Sequence, residues 1–146
     1  MELASTLTAC STTATDAFKN LTPGTYSYSI GTVGNATALV KVGSAWAVTS
    51  TGTVSNARSV TVPVRFGYRV TFTESGLNST HGFSWSVTSQ GQTATSSNST
   101  IELYLTNGSD GFTVHMVSGY RMSSSPTGRV VVVGAATGVA VAFTPK

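Results

Sequence analysis

The sequence YRVTFTESGL at residues 68–77 decides the fold class. Apolar Tyr68, Val70 and Phe72 alternate there with Arg69 and other polar residues. Because successive side chains of a β-strand point to opposite faces, this alternation predicts a strand with one apolar and one polar face. The same alternation recurs at 60–66, 83–88, 112–116 and 139–143.

Clusters of turn-forming residues separate these alternating segments. Gly, Pro, Asn and Ser are concentrated at 22–24, 31–35, 75–82, 107–111 and 123–128. Such residues favour tight turns between strands. No segment repeats its apolar residues with the 3.6-residue period of a helix. The sequence therefore predicts an all-β protein, with an antiparallel β-sandwich as the architecture that buries one face of each sheet.

The composition supports this fold class and restricts the function. Ser and Thr occupy 46 of the 146 positions, and charged residues make up 9%, against about a quarter in a typical soluble domain. A helical bundle would need far more Glu, Lys, Arg and Leu. The net charge of +3 comes from scattered single residues. We therefore expect no nucleic-acid partner, because no basic cluster is present.

Groups that could carry catalysis or bind a metal are scarce. The chain has five carboxylates, two histidines and a single cysteine, Cys10, so no internal disulfide or cysteine zinc site is expected. Glu74 is predicted to accept backbone N–H groups from the turn that follows it, and Glu102 to face solvent. His81 and His115 match no metal-ligand spacing. Residues 107–111 contain Asn-Gly and Asp-Gly, which favour a hairpin turn over a calcium loop. We expect no enzyme activity and no cofactor.

The chain also repeats itself. Residues 21–30 match the pattern of 105–116, residues 44–48 match 118–122, and residues 58–66 match the strand that ends at 139–143. The sequence therefore predicts two tandem modules, 1–67 and 68–146, joined near Gly67. The shifting offset between the copies places an insertion in the first copy, at residues 34–42.

The first module is incomplete. Nothing in it corresponds to residues 68–84, which include the opening strand of the second module. Two explanations remain open: the sequence is a piece of a longer repeat protein, or another chain fills the gap. A missing strand leaves backbone groups unpaired at a sheet edge. We therefore expect self-association through the exposed edge of the first module, with residues 3–8 or 139–143 as the donor, unless residues 3–8 close the gap within their own chain.

The segments 68–77 and 83–87 resemble the repeat of archaeal cell-surface proteins whose consensus reads VTFTESGLP. Residues 21–30 and 119–128 match its later part, and Asn78 replaces the usual Pro. Similar repeats occur beside thermopsin-like proteases and in large secreted archaeal proteins. The resemblance implies tandem Ig-like or fibronectin-III-like modules, extracellular or at the cell surface, and brings no catalytic motif.

Asparagine and aromatic residues are the remaining candidates for function. Five of the six Asn residues begin an Asn-x-Ser/Thr triplet and are predicted N-glycosylation sites: Asn20, Asn35, Asn78, Asn98 and Asn107. Trp46, Tyr104 and Tyr120 would form a sugar-binding platform if they shared an outer face, whereas Trp85 is expected in the core.

The leading hypothesis is a non-catalytic extracellular module that serves as a spacer, in adhesion or in assembly. The alternative is a carbohydrate-binding accessory module of a secreted hydrolase, with a polysaccharide as its partner. The most apolar run, 130–143, contains Gly134 and Gly138 and is too short for a transmembrane helix.

Overall fold

The computed structural model describes residues 13–19, 24–31, 33–55, 59–78 and 82–146, with only the backbone described at 13–19, 55, 59 and 60. The chain divides into two compact units, Met1–Gly67 (unit 1) and Tyr68–Lys146 (unit 2). The described residues form strands and no helix. None of them therefore belongs to a helix with the length and hydropathy to cross a bilayer.

The strands, in chain order, are β1 (Thr13–Lys19), β2 (Thr25–Ser29), β3 (Thr37–Val42), β4 (Ala45–Val48), β5 (Thr51–Ser55), β6 (Ser59–Ser75), β7 (Trp85–Ser89), β8 (Gln92–Ser96), β9 (Thr100–Leu105), β10 (Gly108–Val114), β11 (Tyr120–Met122), β12 (Thr127–Val132) and β13 (Thr137–Pro145). The boundary between the units falls within β6, so each unit is described with its own part of that strand.

Unit 2 contains two sheets. One has the order β11-β13-β6-β9 and the other the order β12-β10-β7-β8. All pairs are antiparallel except β13 with β6, which run parallel from Thr137 opposite Val70 to Ala142 opposite Ser75. The expectation of a wholly antiparallel arrangement is wrong for this pair. The strand before β13, β12, lies in the other sheet. The chain therefore crosses from that sheet to reach β6, and no hairpin connects β13 to β6, as one can between antiparallel strands.

The inner faces of these two sheets share one apolar core, which is the arrangement of a β-sandwich. Phe72 of β6 is fully buried, and its ring meets that of Phe112 of β10 edge-on, with centroids 5.2 Å apart. Trp85 of β7 is 2% exposed and meets Phe143 of β13 in the same way at 6.3 Å. The placement of Trp85 in the core agrees with the prediction from the alternation at 83–88.

Unit 1 has a sheet of order β1-β6-β3-β4 and a separate ribbon of β2 and β5. β3 lies within the predicted insertion and separates β4 from β6, whereas the corresponding strands of unit 2, β11 and β13, pair directly. β1 pairs antiparallel with β6, from Thr13 opposite Arg65 to Lys19 opposite Ser59. The closing strand of unit 1, which is the first part of β6, therefore pairs with β1. The closing strand of unit 2, β13, pairs instead with the opening strand of that unit, which is the second part of β6.

Pro63 tests the register of β6 in unit 1. Proline has no backbone N–H, so the sequence predicts either an edge strand or a position where no partner needs that donor. β6 is not an edge strand, because β1 and β3 flank it. Pro63 faces Thr15 of β1, while the pairing with β3 ends at Val64. At Pro63 the strand is therefore paired on one side only, as the second option requires.

The segment 107–111 is not a hairpin turn, contrary to the sequence prediction. Gly108 to Gly111 belong to β10 and pair with β12, while β9 and β10 lie in different sheets. The link between them is Thr106 and Asn107, and it carries the chain from one sheet to the other. Asn107 Oδ1 accepts a hydrogen bond from the Gly134 N–H at 2.7 Å, which anchors this link to the loop after β12.

Gly76 is the most constrained glycine of unit 2. Its φ is +95°, and a Cβ there would collide with the carbonyl oxygen of Phe143. We expect Gly76→Ala to destabilise unit 2, because positive φ costs alanine about 1–2 kcal/mol and the collision adds about 1–3 kcal/mol. Gly134→Ala is the matched control, since its φ is +65° and a Cβ there meets no atom within 4 Å. Equal losses in urea-unfolding free energy for the two variants would contradict this account.

Candidate functional site

In the described part of unit 1, the second sheet consists of β2 and β5. The equivalent strand of unit 2 is β10, which lies between β12 and β7. β2 pairs with β5, the equivalent of β12. Among the described residues, no strand lies on its other side. We call this side of β2, at Ser27 and Ser29, the free edge.

The hydrogen bonds of the ribbon identify the backbone groups that point to the free edge. The Ile30 N–H donates to the Ser50 carbonyl oxygen at 2.6 Å, which continues the β2–β5 pairing by one residue. In an antiparallel pair, alternate residues turn their N–H and C=O towards the partner. Tyr28 and Tyr26 therefore bond to β5. The backbone groups of the other three residues of β2, Thr25, Ser27 and Ser29, point away from β5.

The free edge lacks the features that usually protect an edge strand. Charged residues, proline and bulges discourage edge-to-edge pairing, and the sequence of β2, Thr-Tyr-Ser-Tyr-Ser, has neither charge nor proline. Tyr26 and Tyr28 are half-buried, while the residues between them are exposed. Tyr28 packs across Gly52 of β5, where a Cβ would collide with its ring. The ribbon is thus regular and uncharged up to its edge.

Unit 2 contains a cavity of about 560 Å³ where β6 ends and β7 begins. Its described lining combines one carboxylate, amide and hydroxyl groups, and apolar side chains: Glu74, Leu77, Asn78, Phe83, Trp85, Ser97, Asn98 and Ser99. These residues come from the end of β6, the segment before β7 with the start of that strand, and the connection between β8 and β9. The volume lies within the range of about 300–1,000 Å³ typical of small-molecule sites.

Glu74 is held at the rim of this cavity by its own turn. Its Oε2 accepts a hydrogen bond from the Leu77 N–H at 3.2 Å, which confirms the prediction that Glu74 accepts a backbone bond from the following turn. Its backbone N–H donates to the Ser99 carbonyl oxygen at 2.8 Å. Glu74 is half-buried, and among the described residues none donates to its Oε1.

Aromatic rings form the apolar part of the cavity. The Trp85 Nε1–H donates to the Asn98 carbonyl oxygen at 2.8 Å, so its polar atom is satisfied. Phe83 is half-buried and packs edge-on against Tyr120, with ring centroids 5.1 Å apart. The Tyr120 hydroxyl accepts a hydrogen bond from the Asn78 N–H at 3.2 Å. These contacts fix the orientation of both lining rings.

The three residues of the predicted aromatic platform have different surroundings. Tyr120 is 7% exposed and belongs to the core of unit 2, so it does not present a ring face to solvent. Tyr104 is half-buried, and its carbonyl oxygen accepts a hydrogen bond from Gln92 Nε2 at 2.6 Å. Trp46 is a half-buried residue of unit 1, with the guanidinium carbon of Arg65 4.4 Å from its ring centroid.

The predicted glycosylation sites lie in connections between strands. Asn35, Asn78, Asn98 and Asn107 are exposed and stand outside the strands, while Asn20 lies outside the described residues. Two of the four, Asn78 and Asn98, also line the cavity. A glycan at any of the four would not disturb a sheet.

Two further titratable residues, Glu102 and His115, lie outside the described cavity lining. Glu102 is exposed and lies 3.5 Å from Arg69 in a surface ion pair. The Nε2 of exposed His115 lies 2.9 Å from the Thr88 hydroxyl. In the described part of the chain, no group of three or more His, Cys, Asp or Glu residues could hold a metal ion. Cys10 and His81 lie outside the described residues.

No protein-family model, curated protein or solved structure matches the chain. Reasoning from the sequence predicted an exposed edge in the first module, but assigned it to a missing opening strand rather than to β2, and it missed the cavity. The repeat carries a signal for this edge, because it matches β2 with β10, and β10 pairs in unit 2 with both β12 and β7. The cavity has no such signal, since Glu74 and Asn98 are far apart in sequence and only the fold brings them together.

Proposed function

We propose that the chain is a non-catalytic pair of Ig-like β-sandwich modules from an extracellular archaeal surface or secreted protein, and that it assembles by strand addition between copies. The free edge of β2 is the observation that carries this proposal. A two-stranded ribbon is marginally stable alone, and an unprotected edge offers main-chain donors and acceptors to another strand.

The partner that fits the free edge is the same edge of a second copy. The sequence of β2 is nearly the same in both directions around Ser27. Antiparallel pairing of two β2 strands places Ser27 opposite Ser27 of the partner copy and Tyr26 opposite its Tyr28. The outward backbone groups of Ser27 then bond to those of Ser27 in the partner copy, as the alternation of an antiparallel ladder requires.

This pairing produces a sheet with the same number of strands as the corresponding sheet of unit 2. Two β2–β5 ribbons joined at β2 form a sheet of order β5-β2-β2-β5, and the corresponding sheet of unit 2 has the four strands β12-β10-β7-β8. Aromatic residues on neighbouring strands add favourable side-chain contacts, here between Tyr26 and Tyr28. A two-fold arrangement of this kind closes as a dimer.

The donors suggested by the sequence are less favourable or lie outside the described residues. Residues 139–143 belong to β13, which pairs with β6 and then β11 along its length. Releasing that strand would break two sets of backbone hydrogen bonds in unit 2. Residues 3–8 lie outside the described residues, and their return to the β2 of their own chain is the competing outcome.

The extracellular part of the proposal rests on the surface of the chain. The four described sequon asparagines are exposed in connections between strands, where an N-linked glycan is accommodated. Charged residues make up only 9% of the sequence, so few surface groups change their charge with pH. Both features suit a protein outside the cell.

Molar mass in solution tests this assembly. We expect light scattering of the purified chain to rise with concentration in the micromolar range from 15.0 kDa towards twice that value. A mass of 15.0 kDa at every concentration would show that the edge is closed within one chain. Growth beyond the dimer would contradict the closed β2–β2 arrangement.

A further inference from the structure

We propose that the cavity of unit 2 binds a neutral sugar ring, with Glu74 and Asn98 as its polar contacts and Phe83 as its stacking surface. This inference is independent of assembly, because the described lining residues all belong to unit 2. It also differs from the platform predicted from the sequence, since none of Trp46, Tyr104 and Tyr120 lines the cavity.

The polar contacts suit sugar hydroxyl groups. The bond from the Leu77 N–H to Oε2 orients the Glu74 carboxylate, and no described residue donates to Oε1. A carboxylate accepts hydrogen bonds from hydroxyls, and an amide side chain both donates and accepts. The backbone of Asn98 is bonded to Trp85 Nε1 and Ser96 Oγ, which fixes the residue and leaves its side-chain amide for a ligand.

The aromatic side of the cavity suits the C–H face of a sugar. Phe83 lines the cavity and is half-buried, and its edge-on contact with Tyr120 holds its ring in place. An aromatic ring offers a rigid apolar surface at a low cost in conformational entropy. A pyranose presents axial C–H groups on one face and hydroxyls around its rim, which matches a ring flanked by a carboxylate and an amide.

The charge of the cavity distinguishes between ligand classes. Glu74 carries the only charge among the described lining residues. Among the described lining residues no cation would compensate a phosphate or an acidic sugar beside this carboxylate, and like charges repel strongly in a partly buried site. The described lining therefore favours a neutral polyhydroxylated ring over an anion.

The sugar can come from two sources, a free saccharide or a glycan attached to the chain. Asn78 and Asn98 both line the cavity and both begin glycosylation triplets, which end at Thr80 and Thr100. The contacts of the ring are the same in either case. A comparison of sugar binding by glycosylated and unglycosylated protein distinguishes the two sources.

The test is titration of unglycosylated protein with glucose, mannose, galactose and N-acetylglucosamine, followed by NMR. We expect saturable binding of at least one of these sugars, weakened about tenfold or more by Glu74→Gln, which replaces a charged acceptor by an amide donor, and by Phe83→Ala, which removes the stacking ring. Glu102→Gln is the matched control, since that carboxylate lies in a surface ion pair outside the cavity. Thermal melts show whether each variant is folded. If Phe83→Ala does not fold, the comparison of wild type with Glu74→Gln is the test.

Absence of binding by all four sugars, or equal binding by wild type and Glu74→Gln, would overturn the proposal. If glycosylated protein does not bind free sugar, and Thr80→Ala or Thr100→Ala restores binding by removing a glycosylation triplet, the attached glycan is the occupant. Unchanged binding in glycosylated protein would identify a free saccharide. Both of these outcomes support a sugar-binding cavity.

Discussion

Truncation of Phe72 to alanine is expected to lower the free energy of unfolding of unit 2 by about 3–5 kcal/mol. Phe72 is fully buried in the middle of β6, and its ring packs edge-on against Phe112 of the opposite sheet. The substitution removes this contact and leaves a cavity between the two sheets. Since small domains are stable by about 5–15 kcal/mol, the loss is a large part of the total.

Fluorescence-detected urea unfolding measures this effect in unit 2. The chain has two tryptophans, Trp46 in unit 1 and Trp85 in unit 2, so a Trp46→Phe background reports on unit 2 alone. Val131→Ala is the control, because Val131 lies on a strand of the same unit but is 58% exposed. We expect its effect to stay within about 0.5 kcal/mol. Similar losses for the two variants would show that the described core does not stabilise unit 2.

Ser27→Pro is expected to weaken the dimer about 10- to 100-fold. The substitution removes one N–H from the free edge of each copy, so two intermolecular hydrogen bonds are lost at about 0.5–1.5 kcal/mol each, and each 1.4 kcal/mol is a tenfold change. The β2–β5 ladder should survive, because the Ser27 N–H points away from β5. Proline is tolerated at an edge position whose N–H faces solvent.

Ser27→Ala is the matched control for this prediction. It shortens the same exposed side chain and retains the backbone N–H, so we expect a dimerisation constant close to that of wild type. Light scattering across a dilution series gives the constant for all three proteins. Equal dimerisation of the proline and alanine variants would place the interface elsewhere on the chain.

The fold class could be predicted from the sequence because most strands have one buried face. Val70 and Phe72 are both fully buried, and their alternation with polar residues identifies β6. The sequence pattern does not predict β8. This strand lies at the edge of its sheet, has the sequence Gln-Thr-Ala-Thr-Ser and buries only Gln92. Where a strand lies at the edge of a sheet and packs little apolar surface, no alternation of hydrophobicity marks it.

The link between β9 and β10 shows a second limit of local reasoning. Asn-Gly and Asp-Gly are strong turn signals, yet Gly108 to Gly111 extend β10. Gly111 and Gly128 lie on neighbouring strands, and the ring of Phe112 packs where a side chain at Gly128 would stand. Close packing requires glycine at Gly128, whereas a Cβ at Gly111 would stand 4.0 Å from its nearest neighbour, the Gly128 carbonyl oxygen. Only the pairing of β10 with β12 shows that Gly111 lies in a strand rather than in a turn.

The candidate sites depend still more on long-range structure. The role of Glu74 could be predicted, because its partner Leu77 is three residues away. The cavity joins Glu74 with Asn98, and the free edge depends on which strands flank β2. Both features follow from the order of strands in the sheets, which the hydrophobic pattern of a single strand does not contain.

Dipolar coupling between spin labels at position 27 tests the central proposal most directly. The label is attached through Ser27→Cys in a Cys10→Ser background, at a concentration where light scattering gives the mass of a dimer. Pairing of the two β2 strands brings the labelled Cα atoms to about 5.5 Å, so we predict strong dipolar broadening that disappears on dilution with unlabelled protein. A sharp spectrum that unlabelled protein does not change would contradict assembly through β2.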